Sequence, residues 1–556
     1  MTAPQVRGTV IDTVFVGGSL FSAGMGSSQR GAVAVSGGRI AAIGDDDEIL
    51  ALRTGSTEVV DLAGGLLLPG FQDAHVHPVM AGVSLLQCDV HHCESAEEAL
   101  AAIAAYAAAN PDVAWIEGGG WSMSHYPNGT PTRHMLDAIV PDRPVYLPNR
   151  DGHGAWVNTK ALEIAGIDAA TPDPADGRIE READGFPAGT LHEGASHLID
   201  PYLPGTTPEA QRAGLLAAQE HLFSLGVTSW QDAAVGSMFG QDDILPIYLE
   251  AARSGDLVAR VVGSLWWDRA RSSDQISELV DRRADGGAGR FRPTTVKIML
   301  DGVAENFTAA MLEPYEDGCG CATENSGLDF VDPVGLLEYV PRLDALGFQV
   351  HFHALGDRAV RNALNAVAAA REANGPGGNH HLAHLQVVHP DDIARFAQVG
   401  ATANIQTLWA AHEDQMDELT IPFLGERRAS WQYPFGALLR AGAELASGSD
   451  WPVSSADPLD AIHVAVNRIY PGAEEGTEPL YAEQALPLAV ALASYTAGTA
   501  RVNGHADTTG RLETGMYADL AVLDRDPFAG PSDAIADATV VATFVEGERV
   551  FTRETR

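Results

Sequence analysis

Gly65-Leu66-Leu67-Leu68-Pro69-Gly70-Phe71-Gln72-Asp73-Ala74-His75-Val76-His77-Pro78 is an apolar run that closes on two imidazoles. The apolar part, Leu66 to Asp73, has the length and character of a buried strand. Residues two apart on a strand project from one face, so His75 and His77 point the same way. Two neutral imidazoles on one face are half of a zinc-type site, although two histidines hydrogen-bonded within a core would satisfy the same pattern.

The same arrangement of apolar segment and polar tip recurs down the chain. Strand candidates run from Val227 to Asp232, Ala259 to Trp266, Thr295 to Leu300, Phe348 to His353, His381 to Val388, Ala401 to Gln406 and Glu444 to Ser449. With the first they make eight. Helical spacing fills the intervals, as in Val334 to Leu346 and Asp357 to Ala370. Strands alternating with helices in this way predict an α/β fold, a (β/α)8 TIM-type barrel, whose chemistry sits at the C-terminal strand ends. His75, His77, Lys297, His353, His384 and Asp450 fall at or near those ends.

Lys297 stands out by composition. The chain has 35 basic residues, of which only Lys160 and Lys297 are lysine. Lys297 lies in the apolar run Thr294-Thr295-Val296-Lys297-Ile298-Met299-Leu300. A buried ammonium is costly unless it loses its proton, meets an anion or is modified, and arginine has no access to the first escape. Pairing with a carboxylate such as Asp301 is the plain alternative.

These motifs, together with Asp151-Gly152-His153-Gly154-Ala155-Trp156-Val157-Asn158, His353-Ala354-Leu355-Gly356-Asp357-Arg358-Ala359 and Ser449-Asp450-Trp451-Pro452-Val453, resemble the amidohydrolase superfamily. Within it, the likeness is to the amidohydrolase 3 group that includes N-substituted formamide deformylases. The resemblance implies a binuclear centre in which His75, His77 and Asp450 hold one divalent ion and His353 and His384 the other. Lys297 would bridge them as a carboxylated lysine, a carbamate formed with carbon dioxide. The chemistry agrees, since a lysine with pKa near ~10.4 presents an ammonium without a lone pair, whereas a carbamate offers two oxygens. Zinc is the favoured metal for an imidazole-rich site.

Neighbouring histidines sort by position. His351 shares a face with His353 but lies deeper in its strand. His381 falls on the face opposite His384, and His380 sits roughly 13 Å deeper at strand rise. His353 is therefore the candidate of its pair, and His380 and His381 read as packing or surface residues. His91 and His92 between Cys88 and Cys93 lack a second half-site and do not make a zinc knuckle.

Metal binding lowers the pKa of water from ~15.7 towards ~7, so a hydroxide shared by two cations would serve as nucleophile towards a polarised carbonyl. Asp450 is the candidate to take its proton and pass it to the leaving nitrogen. The expected activity is hydrolysis of a non-peptide, amide-type carbon–nitrogen bond in a small molecule. Deamination of a ring or amidine carbon and a noncatalytic small-molecule-binding barrel are the alternatives. The fingerprints of serine hydrolases, dinucleotide binders and P-loop enzymes are not found.

The domain reading places a small β-sandwich built from both termini, residues 1–65 and 506–556, beside a barrel over 66–505. Roughly 150 residues separate the first two barrel strands, against ~2 to 6 in an ordinary connection. An inserted subdomain at 84–215 therefore follows the first strand, with a helix from Ala96 to Ala109, and it emerges on the catalytic face. Trp121, His153 and Trp156 are its candidate substrate-binding residues, an aromatic core of the insertion itself being their competing role, more so for Trp156 than for His153.

A formal charge of −40, from 75 acidic and 35 basic residues, makes nucleic acid an improbable partner and fits a strongly solvated, salt-tolerant surface. Neither a membrane span nor a secretory leader is evident, and a cytoplasmic location is the default expectation. Cys319 and Cys321 read as free thiols in a polar loop. A homodimer is a possibility carried by the resemblance alone.

Overall fold

The computed structural model describes residues 10–237, 242–474 and 476–554. Eight parallel strands form the barrel: β1 Phe71–Val76, β2 Val227–Val235, β3 Arg260–Trp266, β4 Phe291–Met299, β5 Gln349–Ala354, β6 His381–His384, β7 Thr402–Ile405 and β8 Glu444–Ser447. Each pairs with the next in sequence order. The ends of β1 and β8 are fastened by Asp450 N–H donating to the His75 carbonyl at 2.7 Å. Gly448 permits this approach, because a Cβ there would lie 2.6 Å from the His75 nitrogen.

The strand expected over Leu66 to Asp73 is two strands. Leu66–Pro69 belongs to a sheet shared by the two ends of the chain, where it pairs antiparallel with Leu520–Leu523 and parallel with Thr13–Leu20. The backbone changes allegiance at Gly70: its N–H donates to Asp519, and the next, from Phe71, donates to Gly226. The boundary between the two bodies is therefore at 70. The terminal body is one continuous eight-stranded sheet. Alternation serves both sides of it, since Leu66 and Leu68 pack into the barrel core while Leu67 joins Phe15, Val33 and Phe544 on the other side.

The insertion carries its own six-stranded sheet, from Cys88–Asp89 to Pro187–Glu193. Against it lies Ala96–Ala109, capped by the Ser95 side chain, which accepts from the Glu98 N–H, and burying Ala99, Ile103 and Ala107 at four-residue spacing. The expected limits of 84 and 215 cut into two helices that belong to the barrel wall. Pro78–Leu85 starts directly after His77 and packs on Pro208–Ser224, where a Cβ on Gly82 would meet the Gly214 carbonyl at 1.8 Å. Among the described residues, no helix is long and apolar enough to cross a membrane.

Candidate metal centre and cavity

The barrel strands deliver six side chains to one place at their C-terminal ends. A cavity of about 250 Å³ opens there, lined by His75, His77, Lys297, His353, His384 and Asp450 from the barrel and by His153 from the insertion. One carboxylate oxygen, Asp450 Oδ1, lies 3.1 Å from Nε2 of both His75 and His77. His384 Nδ1 is 3.7 Å from the other, Oδ2. The rings of His353 and His384 have centroids 4.5 Å apart.

Burial, with the Lys297 charge second, lowers His75 to about 3 and holds His353 well below the ordinary imidazole range, while burial and His353 hold His384 there. Burial thus favours the neutral form of these rings, in which one ring nitrogen keeps a lone pair. Burial alone would raise Asp450, but His75, His77 and His384 around it keep its carboxyl well below the usual range. Asp450 Oδ1 and both ring nitrogens of His384 are buried without a hydrogen-bond partner. Buried, electron-rich atoms left unpaired are costly. Neutral imidazoles and a carboxylate are also the donor set a divalent cation takes. The residues present fit a metal, and the potential ligand atoms of His75, His384 and Asp450 all lie within 4.8 Å of one another.

Lys297 is buried on β4, its Nζ 3.5 Å from His351 Nε2. Burial lowers it to about 7, with Asp450 opposing the shift. Pairing with Asp301 does not occur. Asp301 instead receives the N–H groups of Ala310, Leu355 and Gly356 and stands 3.2 Å from His353 Nδ1. This leaves His353 Nε2 to face the cavity and fixes the ring. A carboxylate behind a ligating histidine sets its tautomer and typically accounts for 10- to 100-fold in metal affinity. Asp301→Asn is therefore expected to weaken cation binding by about tenfold or more with the melting temperature largely retained, as read by competition with a chromophoric chelator. Unchanged metal affinity would reduce Asp301 to a loop anchor.

Three further groups escaped the sequence reading. Asp73 accepts from Ser449 Oγ at 2.6 Å and from the His75 N–H at 2.9 Å, locking the two strand ends that carry His75 and Asp450. Trp409 stacks on His384, with centroids 5.4 Å apart and planes within 3°. His351 is not a bystander: its Nε2 lies 2.8 Å from His75 Nδ1, and its ring lies against that of His381, with centroids 4.1 Å apart and planes tilted by 38°.

The face assigned to His381 also needs correction. Strict alternation would turn His384 away from the ring of His381, yet both point inward. The reason is a left-handed backbone at the strand end, φ 80° at His384 and 53° at Leu385, with Gln406 Oε1 accepting the His384 N–H at 2.6 Å. Asp450 is left-handed as well, at φ 58°. Such conformations cost about 1–3 kcal/mol each and persist where surrounding contacts enforce them. His380 does pack away from the site, with Nε2 on Asp344 at 3.0 Å.

The insertion residues divide. His153 lines the cavity, its ring 5.8 Å from that of His353 and its Nδ1 3.0 Å from Glu193 Oε2. Burial would depress it, but Glu193 more than compensates and raises it to about 9. Trp121 and Trp156 do not line the cavity. They are fully buried in the insertion's own core, 6.1 Å apart, with their indole N–H groups donating to the carbonyls of Leu147 and Thr132. Their apolar surface stabilises the subdomain that forms the cavity roof. The four cysteines are unpaired, Cys319 and Cys321 being exposed and Cys88 and Cys93 buried.

Comparison with known proteins gives concordant results. A sequence model described as amidohydrolase family matches residues 58–551. The N-substituted formamide deformylase of Arthrobacter pascens is 27% identical over 532 residues, 93% of this chain and 94% of that protein. Protein LONG AFTER FAR-RED 3 of Arabidopsis thaliana is 28% identical over 558 residues, 98% of this chain and 92% of the relative. Among solved structures, an uncharacterized metal-dependent hydrolase from Pyrococcus furiosus superposes with a TM-score of 0.69 at 27% identity, covering 93% of this chain and 99% of that one.

Proposed function

From the premise that the chain belongs to the amidohydrolase family, we propose that it cleaves an amide-type carbon–nitrogen bond in a small molecule, with N-substituted formamides the first class to test. The family makes it a metal-dependent hydrolase of carbon–nitrogen bonds. The observation that carries the site assignment is the buried meeting of neutral imidazole nitrogens and an unpaired carboxylate oxygen on the cavity floor. In this reading His75, His77 and Asp450 would hold one cation and His353 and His384 the second, with Lys297 as a carbamate a further ligand. Zinc is the metal of choice for that donor set.

Divalent cations so held would supply an acidified water and a Lewis acid for the carbonyl. The chain's own residues do the rest. Lys297, buried and lowered to about 7, presents a neutral amine to carbon dioxide; the new N–C bond forms as one proton leaves. Asp450 takes the proton of the attacking water and carries it to the leaving nitrogen, which departs as a neutral amine rather than an amide anion. His153, positively charged through Glu193, faces the cavity near His353 and is placed to hold the oxygen on which negative charge develops.

Elemental analysis together with turnover on N-substituted formamides, acyl amides, cyclic ureides and ring amines tests this reading. Metal in the purified protein and release of amine from one of the first three classes are expected. Ammonia release from ring amines alone would replace it with the deaminase alternative, and a metal-replete protein inert on every class would overturn it.

A further inference from the structure

On the insertion side of the cavity, Glu117, Tyr146, Asp200 and Gln211 line the wall. Glu117 and Tyr146 are register partners on the adjacent parallel strands Ile116–Gly119 and Val145–Pro148, so their side chains leave the sheet on one face. Asp200 comes from the turn Asp200–Tyr202 and Gln211 from the first turn of Pro208–Ser224. Four polar groups from four segments thus line one cavity, with Glu117 and Tyr146 side by side in register.

Their hydrogen bonding is incomplete. Gln211 is 4% exposed, yet among the described residues no hydrogen bond reaches its side-chain amide. Asp200 Oδ2 is held by His197 Nδ1 at 2.9 Å, while Oδ1 is buried without a partner. Glu117 has no ion pair or hydrogen bond on its carboxylate among the described residues, and burial raises its pKa. The Tyr146 phenol is held well above its usual range by burial first and then by Asp200, with Glu117 contributing, so the potentials of both carboxylates overlap. Arg150 and Lys297 are engaged elsewhere, Arg150 donating to the His91 carbonyl at 3.1 Å and Lys297 standing on His351, and His153 is held by Glu193.

We propose that Glu117, Asp200 and Gln211 form a subsite for a protonated nitrogen group, an alkylammonium or a guanidinium, carried by the substrate on the part remote from the bond that is cut. An ammonium there would donate to Glu117, Asp200 Oδ1 and the Gln211 carbonyl oxygen, satisfying three acceptors that the protein leaves open. The apolar side chains Val83 and Leu203 beside them suit an alkyl stem. This assignment rests on the reading of the cavity as the substrate's seat.

Titration calorimetry of the metal-loaded protein at pH 7 with n-hexylammonium and with n-hexanol tests it without requiring turnover. The ammonium is expected to bind about tenfold or more tightly than the alcohol, because its charge-assisted hydrogen bonds take the place of the single neutral one a hydroxyl can donate. Glu117→Gln should collapse that preference and Asp200→Asn narrow it, with hexanol affinity unchanged in both and the circular dichroism spectrum intact. Equal affinities in the wild type, or a preference surviving both substitutions, would overturn the subsite. A preference for the ammonium in a protein inert on every amide would leave the subsite standing and remove the hydrolase reading instead.

Discussion

Asp450→Asn lowers kcat by about 10²- to 10⁴-fold, the range for loss of a positioned general base and acid, while a substantial part of the metal stays bound. Asparagine keeps the shape and one ligating oxygen. It takes away the charge and the ability to accept a proton at the cavity floor, where Asp450 Oδ1 faces both His75 and His77. The loss therefore falls on kcat more than on KM, because the carboxylate acts on the reacting atoms rather than on the resting substrate. Steady-state kinetics paired with metal content per chain checks this, and near-wild-type turnover would remove Asp450 from the proton-transfer role.

Lys297→Arg is the second large effect. The substitution keeps a cation and much of the volume, and on a surface it would be mild. Here it places a guanidinium that cannot lose its proton beside His351 and under His75. No carbamate forms, and a fixed positive charge opposes any cation on the adjacent ligands. Turnover is expected to fall to background and bound metal to less than half of the wild-type content. Mass spectrometry under native conditions should find one carbon dioxide adduct on the wild type and none on the variant. Full metal and activity in Lys297→Arg would end the case for a bridging carbamate.

The barrel was legible because each strand is short, apolar and closed by a polar tip, a pattern that survives without knowledge of what packs on it. All eight strand candidates correspond to barrel strands, with the first displaced to Phe71–Val76. That displacement marks a limit of local reading: nothing in Leu66-Leu67-Leu68 tells which sheet it will join, because both of its faces are buried, one by the barrel and one by the terminal sheet. The residues gathered at the centre were legible as a set through the family resemblance, since His-X-His alone is a weak signal and a lone inward lysine alone fits a buried ion pair. His384 and His381 were harder. Alternation is a rule for extended backbone, and the positive φ at His384 suspends it at the point where the site needs the ring.

Supporting groups were the least legible. Asp301 looked like a counterion for Lys297 by proximity in sequence, but three backbone N–H groups claim it and aim it at His353. Trp409 gave no periodic signal, being in a short turn after β7. The tryptophans of the insertion misled in the opposite direction, because an aromatic residue near a catalytic face and one in a subdomain core look alike until the indole N–H partners are known.

Because Leu66–Pro69, the segment that leads into the strand presenting His75 and His77, takes one of its two partners from Leu520–Leu523, that lead-in is not held on one side until the ribosome has passed Leu523. The first ligands to be synthesised are thus among the last to be secured. A stop codon ahead of Leu520, remote in sequence from every ligand, would register as weakened metal retention, and secure loading with metal waits until that strand has been made.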